Sequence, residues 1–134
     1  TYSNGVYKTA NMTYHKPMNI IDLEKGKKVF GSIEQARSML KLFIDDLDDH
    51  ISKIDEDCRT KKWASMYEKT HSLRGACCYS STPSLLASVE KLDNIMYRVR
   101  NNILLQPSEE NDILQATEQL KTIAKKTILE SSKY

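Results

Sequence analysis

Apolar residues recur at three- and four-residue steps in four stretches of this chain, the spacing of one face of an α-helix. The first stretch carries Ile33, Ala36, Met39/Leu40, Phe43, Leu47, Ile51 and Ile54. It predicts a long helix reaching about Asp55. Ser32-Ile33-Glu34-Gln35 at its start has the form of a capping box, with Gln35 at the third helical position. The second stretch, over 61–79, places Trp63, Met66, Thr70, Leu73 and Cys77 on one inner stripe. Ser80-Ser81-Thr82-Pro83 breaks it, and Thr82 is positioned to cap a following helix with Pro83 at its tolerated first position. That helix carries Leu85/Leu86, Val89, Leu92, Met96 and Val99, and Asn101 and Asn102 close it. Pro107-Ser108-Glu109-Glu110 opens the last helix, with acidic residues at the positive end of its dipole. Its predicted inner stripe is Ile113, Leu114, Ala116, Leu120, Ile123/Ala124 and Ile128.

A short helix is predicted ahead of these, over 22–29, with Asp22 as N-cap and Gly31 as stop. Four amphipathic helices with short connections predict an all-α fold, an antiparallel up-down four-helix bundle capped by the short N-terminal helix. Residues 1–18 hold Asn, Thr, Tyr, Ser and Gly without helical period and read as a linker or flexible arm, leaving 19–134 as the bundle domain.

Composition agrees with this picture. The 134 residues contain four glycines and three prolines, and helix-forming residues dominate. At 40% apolar residues the chain can build a single core. The net charge of +2, with both signs interspersed, makes no broad basic surface and argues against nucleic acid as a partner. There is neither an apolar run long enough to span a bilayer nor a secretory signal pattern, so no membrane contact by this segment is expected. The three cysteines, Cys58, Cys77 and Cys78, have no scaffold spacing and fit reduced thiols in a cytoplasm. The first residue is Thr1, not Met, which reads as excision from something longer.

The candidate chemistry lies in His71-Ser72-Leu73-Arg74-Gly75-Ala76, inside the 61–79 helix. Glycine costs a helix interior about 1 kcal/mol relative to alanine. Residues three and four apart share a face, so His71, Arg74 and Gly75 form one patch: an imidazole, a fixed positive charge and a bare stretch of backbone. Successive residues turn by about 100°, so His71 faces outward from the inner stripe, accompanied by Tyr67, Glu68, Arg74, Gly75 and Cys78. The small Ala76, Cys77 and Cys78 flatten the surface and let another protein approach.

Other constellations are weaker. Asp45, Asp46, Asp48 and Asp49 form an acidic run, but a helix cannot wrap a cation as a calcium loop does. Cys58, His71, Cys77 and Cys78 lack zinc spacing, and the cysteines read as core or half-buried thiols. No metal site is expected. His50 and His15 read as solvated, and Trp63 reads as a core anchor.

Residues 70–92 resemble the histidine phosphotransfer (HPt) domain of bacterial and plant phosphorelays. The resemblance rests on His71, Leu73, Arg74, Gly75, Ala76 and Cys77, then Ser81, Leu85, Glu90 and Leu92. Residues 19–47, with Ile21-Asp22 and Leu40-Lys41-Leu42-Phe43, also look like the family's N-terminal portion. Arg74 stands where Lys is more usual, and Ser80 and Ser81 stand where a hydrophobic residue and a glycine are common. The resemblance implies that His71 is the phosphoacceptor, that Arg74 stabilises phosphoryl charge, and that Tyr67, Glu68, Gly75 and Cys78 dock the partner. It implies response-regulator receiver domains as partners, with Mg²⁺ on the receiver and no cofactor on this domain. It also implies a cytoplasmic location, with the domain as the C-terminal module of a hybrid sensor kinase or as a free-standing relay protein. There is no ATP-binding motif, so self-phosphorylation is not expected. The competing class is a non-catalytic helical adaptor that docks a partner without moving phosphate.

Overall fold

The computed structural model describes residues 18–134. All but Met18 of the arm expected over 1–18 lies outside them. Five helices and no strand occur among the described residues: α1 (Leu23–Phe30), α2 (Ile33–Arg59), α3 (Trp63–Cys77), α4 (Pro83–Val99) and α5 (Pro107–Ser131).

Local chemistry sets most of these boundaries. Gly31 ends α1 at φ +91°, a left-handed conformation that costs glycine nothing. Its N–H closes on the Lys27 carbonyl at 2.7 Å. Ser32 then starts α2 as expected, its Oγ accepting from the Gln35 N–H at 3.1 Å. The helix continues past Asp55 to Arg59. Its last turn buries Asp57 and Cys58 and is laced by Arg59 contacts to Asp55 and Glu56. α3 is shorter than 61–79 at both ends, because Lys61 takes φ +58° and residues after Cys77 form turns.

Three expected caps act differently. Asp22 occupies the N-cap of α1 without a side-chain bond, and its N–H instead reaches the Ser81 carbonyl at 2.8 Å. Thr82 sits at the N-cap of α4 but turns its hydroxyl to Ser80 Oγ at 2.5 Å. The last helix is capped one residue before Pro107. Gln106 accepts from the backbone at the third helical position, and Glu109 Oε1 accepts from the Gln106 N–H at 2.7 Å. That reciprocal pair is a capping box built from glutamine rather than serine.

α2 packs against α3 and α5, α4 packs against α3 and α5, and α1 lies on α2. These contacts enclose one core that includes Leu47, Ile54, Trp63, Met66, Leu73, Leu85, Leu92, Met96, Ile113 and Leu120. The inner stripe predicted for α3 is buried throughout. The stripe predicted for α5 needs one correction: Leu114 is 51% exposed. Thr117 and Thr127 take the inner positions, because each hydroxyl bonds back to the carbonyl four residues earlier at 2.7 Å and enters the core satisfied.

Candidate functional site

His71 lies mid-α3 with its side chain 57% exposed, directed away from the core stripe and toward α4. Its Nδ1 is 3.2 Å from Oδ1 of Asp93, whose carboxylate is only 4% exposed. The other oxygen, Oδ2, accepts from Arg74 Nη1 at 3.0 Å. Arg74 also lies 3.6 Å from Glu90. One buried carboxylate on α4 thus ties together the imidazole and the guanidinium of α3. On the other side, the Tyr67 ring stacks on His71 with centroids 5.5 Å apart and planes 28° apart.

Gly75 is one turn beyond His71 on the same face, and a Cβ built there would meet nothing within 4 Å. The glycine is therefore not required by packing within this chain, and it leaves open space beside the imidazole. Glu68 and Cys78 are exposed, and Cys78 Sγ reaches the Arg74 carbonyl at 3.4 Å. The reading of all three cysteines as core or half-buried thiols holds for Cys58 and Cys77 but not for Cys78, which the helical turn of about 100° carries off the buried stripe that Cys77 occupies. Tyr67, expected as a free docking residue, is half-buried between His71 and Tyr97. Across the α2–α3 seam, Met39, Leu42, Phe43, Ala76 and Tyr79 line a shallow, mainly apolar groove.

The buried thiols of Cys58 and Cys77 do not join this site as nucleophiles. Burial pushes the Cys77 thiol up to about 12, with Cys78 beside it adding to the shift. Burial likewise raises Cys58. Among the described residues no three His, Cys, Asp or Glu side chains come together as a metal site.

Asp93 is the site residue the sequence pattern did not single out; the resemblance pointed to Glu90 as the acidic residue of the next helix. The signal was present. Asp93 falls four residues after Val89 and three before Met96, so a charged side chain sits on the buried stripe of α4. A carboxylate in that position needs a partner from a facing helix.

The arrangement is a helical bundle that presents a solvent-facing histidine, a paired cation and an open glycine on one helix. The family model of the Hpt domain matches residues 38–123, and the chain belongs to the Hpt domain family. The family's function is histidine phosphotransfer in phosphorelays, with response-regulator receiver domains as partners. No curated protein and no solved structure matched the chain. No helix among the described residues is long and apolar enough to cross a membrane.

Proposed function

We propose that His71 is the phosphoacceptor of this Hpt domain, taking a phosphoryl group from a receiver aspartate and passing it to another. The observation that carries the reading is the exposed imidazole beside open space at Gly75, with its ring nitrogen held by Asp93. The helices are proposed to form an antiparallel up-down four-helix bundle, so that His71 stands midway along an exposed face.

The chemistry follows from the residue types. A neutral imidazole nitrogen attacks the phosphorus of the aspartyl phosphate, the P–O bond breaks, and the receiver carboxylate leaves with the electron pair. Phosphoryl transfer depends mainly on positioning and charge stabilisation. Arg74 contributes a fixed positive charge three residues from the nucleophile, and Gly75 gives the receiver close access. The receiver brings Mg²⁺ and the carboxylates that hold it. The exposed Leu42 and Tyr79 extend the docking face along the α2–α3 groove. The further placement as the C-terminal module of a hybrid sensor kinase in the cytoplasm rests on the resemblance alone; the coding sequence around this segment tests it.

The deciding experiment is incubation with a phosphorylated receiver. Wild type should acquire acid-labile, base-stable label, and His71→Gln should acquire none. Label that persists in His71→Gln would overturn the assignment. A wild type that binds receivers yet never labels would leave the adaptor reading.

A further inference from the structure

We infer that the α3–α4 seam, from Tyr67 through Tyr97 and Arg100 to Ile103 and Leu104, is a second contact for the receiver domain, with Arg100 set to take an acidic group at the receiver's edge. The inference rests on the phosphotransfer reading above and adds specificity residues on the side of His71 away from the α2–α3 groove.

Arg100 is a cation held in place without a counter-ion. It stands at the C-cap of α4. Its guanidinium lies 3.7 Å from the Tyr97 ring centroid and 5.9 Å from that of Tyr67, and Nη1 donates to the Tyr97 carbonyl. These contacts orient a planar group over aromatic faces and leave its charge intact. Other cations of this region are paired inside the chain: Arg74 with Asp93 and Glu90, Lys69 with Asp57, Lys61 with Glu110. Among the described residues Arg100 makes no such pair; its contacts are a carbonyl and two rings.

The seam is continuous with the phosphoacceptor. The Tyr67 ring stacks on His71 at 5.5 Å and lies 6.1 Å from Tyr97, which is exposed. Three and four residues past Arg100, Ile103 and Leu104 are 92% and 87% exposed, more than any other large apolar side chain among the described residues. The bundle gains nothing from two adjacent aliphatic side chains held in water, whereas covering them with a partner is favourable.

Charge complementarity names the occupant. The receiver must bring its aspartyl phosphate and its Mg²⁺-holding carboxylates to His71, so the surface that arrives is acidic. A carboxylate at its edge meets the unpaired guanidinium of Arg100, and apolar side chains beside it cover Ile103 and Leu104. Receivers that carry that carboxylate are thereby favoured over receivers that lack it. A flat anionic lipid surface fits less well, because Glu109, Glu110 and Asp112 follow directly in the first turns of α5.

The test is titration of the full chain with a panel of unphosphorylated receiver domains, read apart from any phosphate label. For a receiver that binds wild type, Arg100→Gln should weaken Kd about two- to tenfold and flatten its dependence on salt. The double variant Ile103→Ser with Leu104→Ser should weaken Kd about tenfold and leave the salt dependence as it is. Both should raise KM for phosphotransfer without lowering kcat. Leu129→Ser, an exposed apolar position on α5, a helix that does not touch α3, should change none of these. Wild-type Kd and salt dependence in Arg100→Gln overturn the inference, and so does a loss of kcat at unchanged KM. Self-association of the wild type, or its binding to phosphatidylserine vesicles, that the double variant abolishes while receiver affinity stays the same would assign the patch to a second copy or to lipid instead. Circular dichroism should match wild type throughout, since every substituted side chain is exposed or half-buried. Receivers that bind through the seam yet deposit no label would remove the phosphotransfer reading and keep the contact, and a wild type that binds no receiver overturns both.

Discussion

Ser81 is a strained residue in the connection that leads from the His71 helix to α4. Its φ of +65° lies in the left-handed region, where a side chain costs about 1 to 2 kcal/mol. Its Oγ is buried without a hydrogen-bond partner. Both terms favour glycine, so Ser81→Gly should stabilise the fold by about 1 kcal/mol, read as a higher denaturation midpoint at unchanged slope. A lower midpoint would mean that the hydroxyl fills its niche more usefully than it strains the turn. The sequence made this position visible only through resemblance, as a serine where glycine is common; the reason is backbone geometry, which no local pattern announces. His71, Arg74 and Gly75 were legible because they lie within one helical turn. Asp93 was not, because it is 22 residues from His71 in sequence and meets it only where α3 and α4 pack.

Glycines show how differently one residue type serves two elements. A Cβ on Gly26 of α1 would lie 2.7 Å from the Ala36 Cβ and would run into Ser81 Oγ. Gly26 is thus the contact that lets α1 lie on α2 and the α3–α4 connection. Gly26→Ala should destabilise by about 1 to 3 kcal/mol, through displacement of α1. Gly75→Ala meets open space and should stabilise α3 by about 0.5 to 1 kcal/mol. Larger side chains at Gly75 should preserve the fold and slow phosphotransfer by obstructing the receiver. Paired denaturation curves check the opposite signs, and equal losses would refute the contrast. The same split governs what could be read from sequence. Helix existence was legible because the apolar steps are regular, and Ser32 and Gly31 act locally. Helix ends were less so: Thr82 and Asp22 spend their polar groups on the Ser80–Thr82 connection, a tertiary choice. Leu114 is apolar and yet exposed, because two threonines that satisfy their own hydroxyls fit the inner register better.

Across the whole molecule, the pairing that His71 and Arg74 make with α4 has a counterpart between α3 and α2. Lys69 donates to the buried Asp57 at 2.7 Å and to Ser65 Oγ at 3.1 Å, tying α3 to the last turn of α2. Burial acts to raise Asp57, but the Lys69 ammonium and the Ser65 hydroxyl outweigh it and hold the carboxyl below the usual carboxylate range. The unfolded chain therefore takes up this proton at higher pH than the folded one. The stability it contributes is present in full above the ordinary carboxylate value and is lost as pH falls through the folded value. Acidification from about pH 5 to pH 3 should accordingly lower the thermal midpoint through this group. At neutral pH, Lys69→Met should cost about 2 kcal/mol by leaving a buried carboxylate without its cation. The same variant should show a shallower acid slope than wild type, since Asp57 then gains less from ionisation in the folded state. Thermal unfolding of both proteins across that range settles the point: identical slopes would assign the acid sensitivity to other carboxylates. Lys69 and His71 are close on α3, so the ion pair that anchors this helix to α2 also helps to hold the backbone on which the imidazole is aimed at α4. Lys69→Met should for that reason slow phosphotransfer less than Asp93→Ala, because it loosens the helix without releasing the ring.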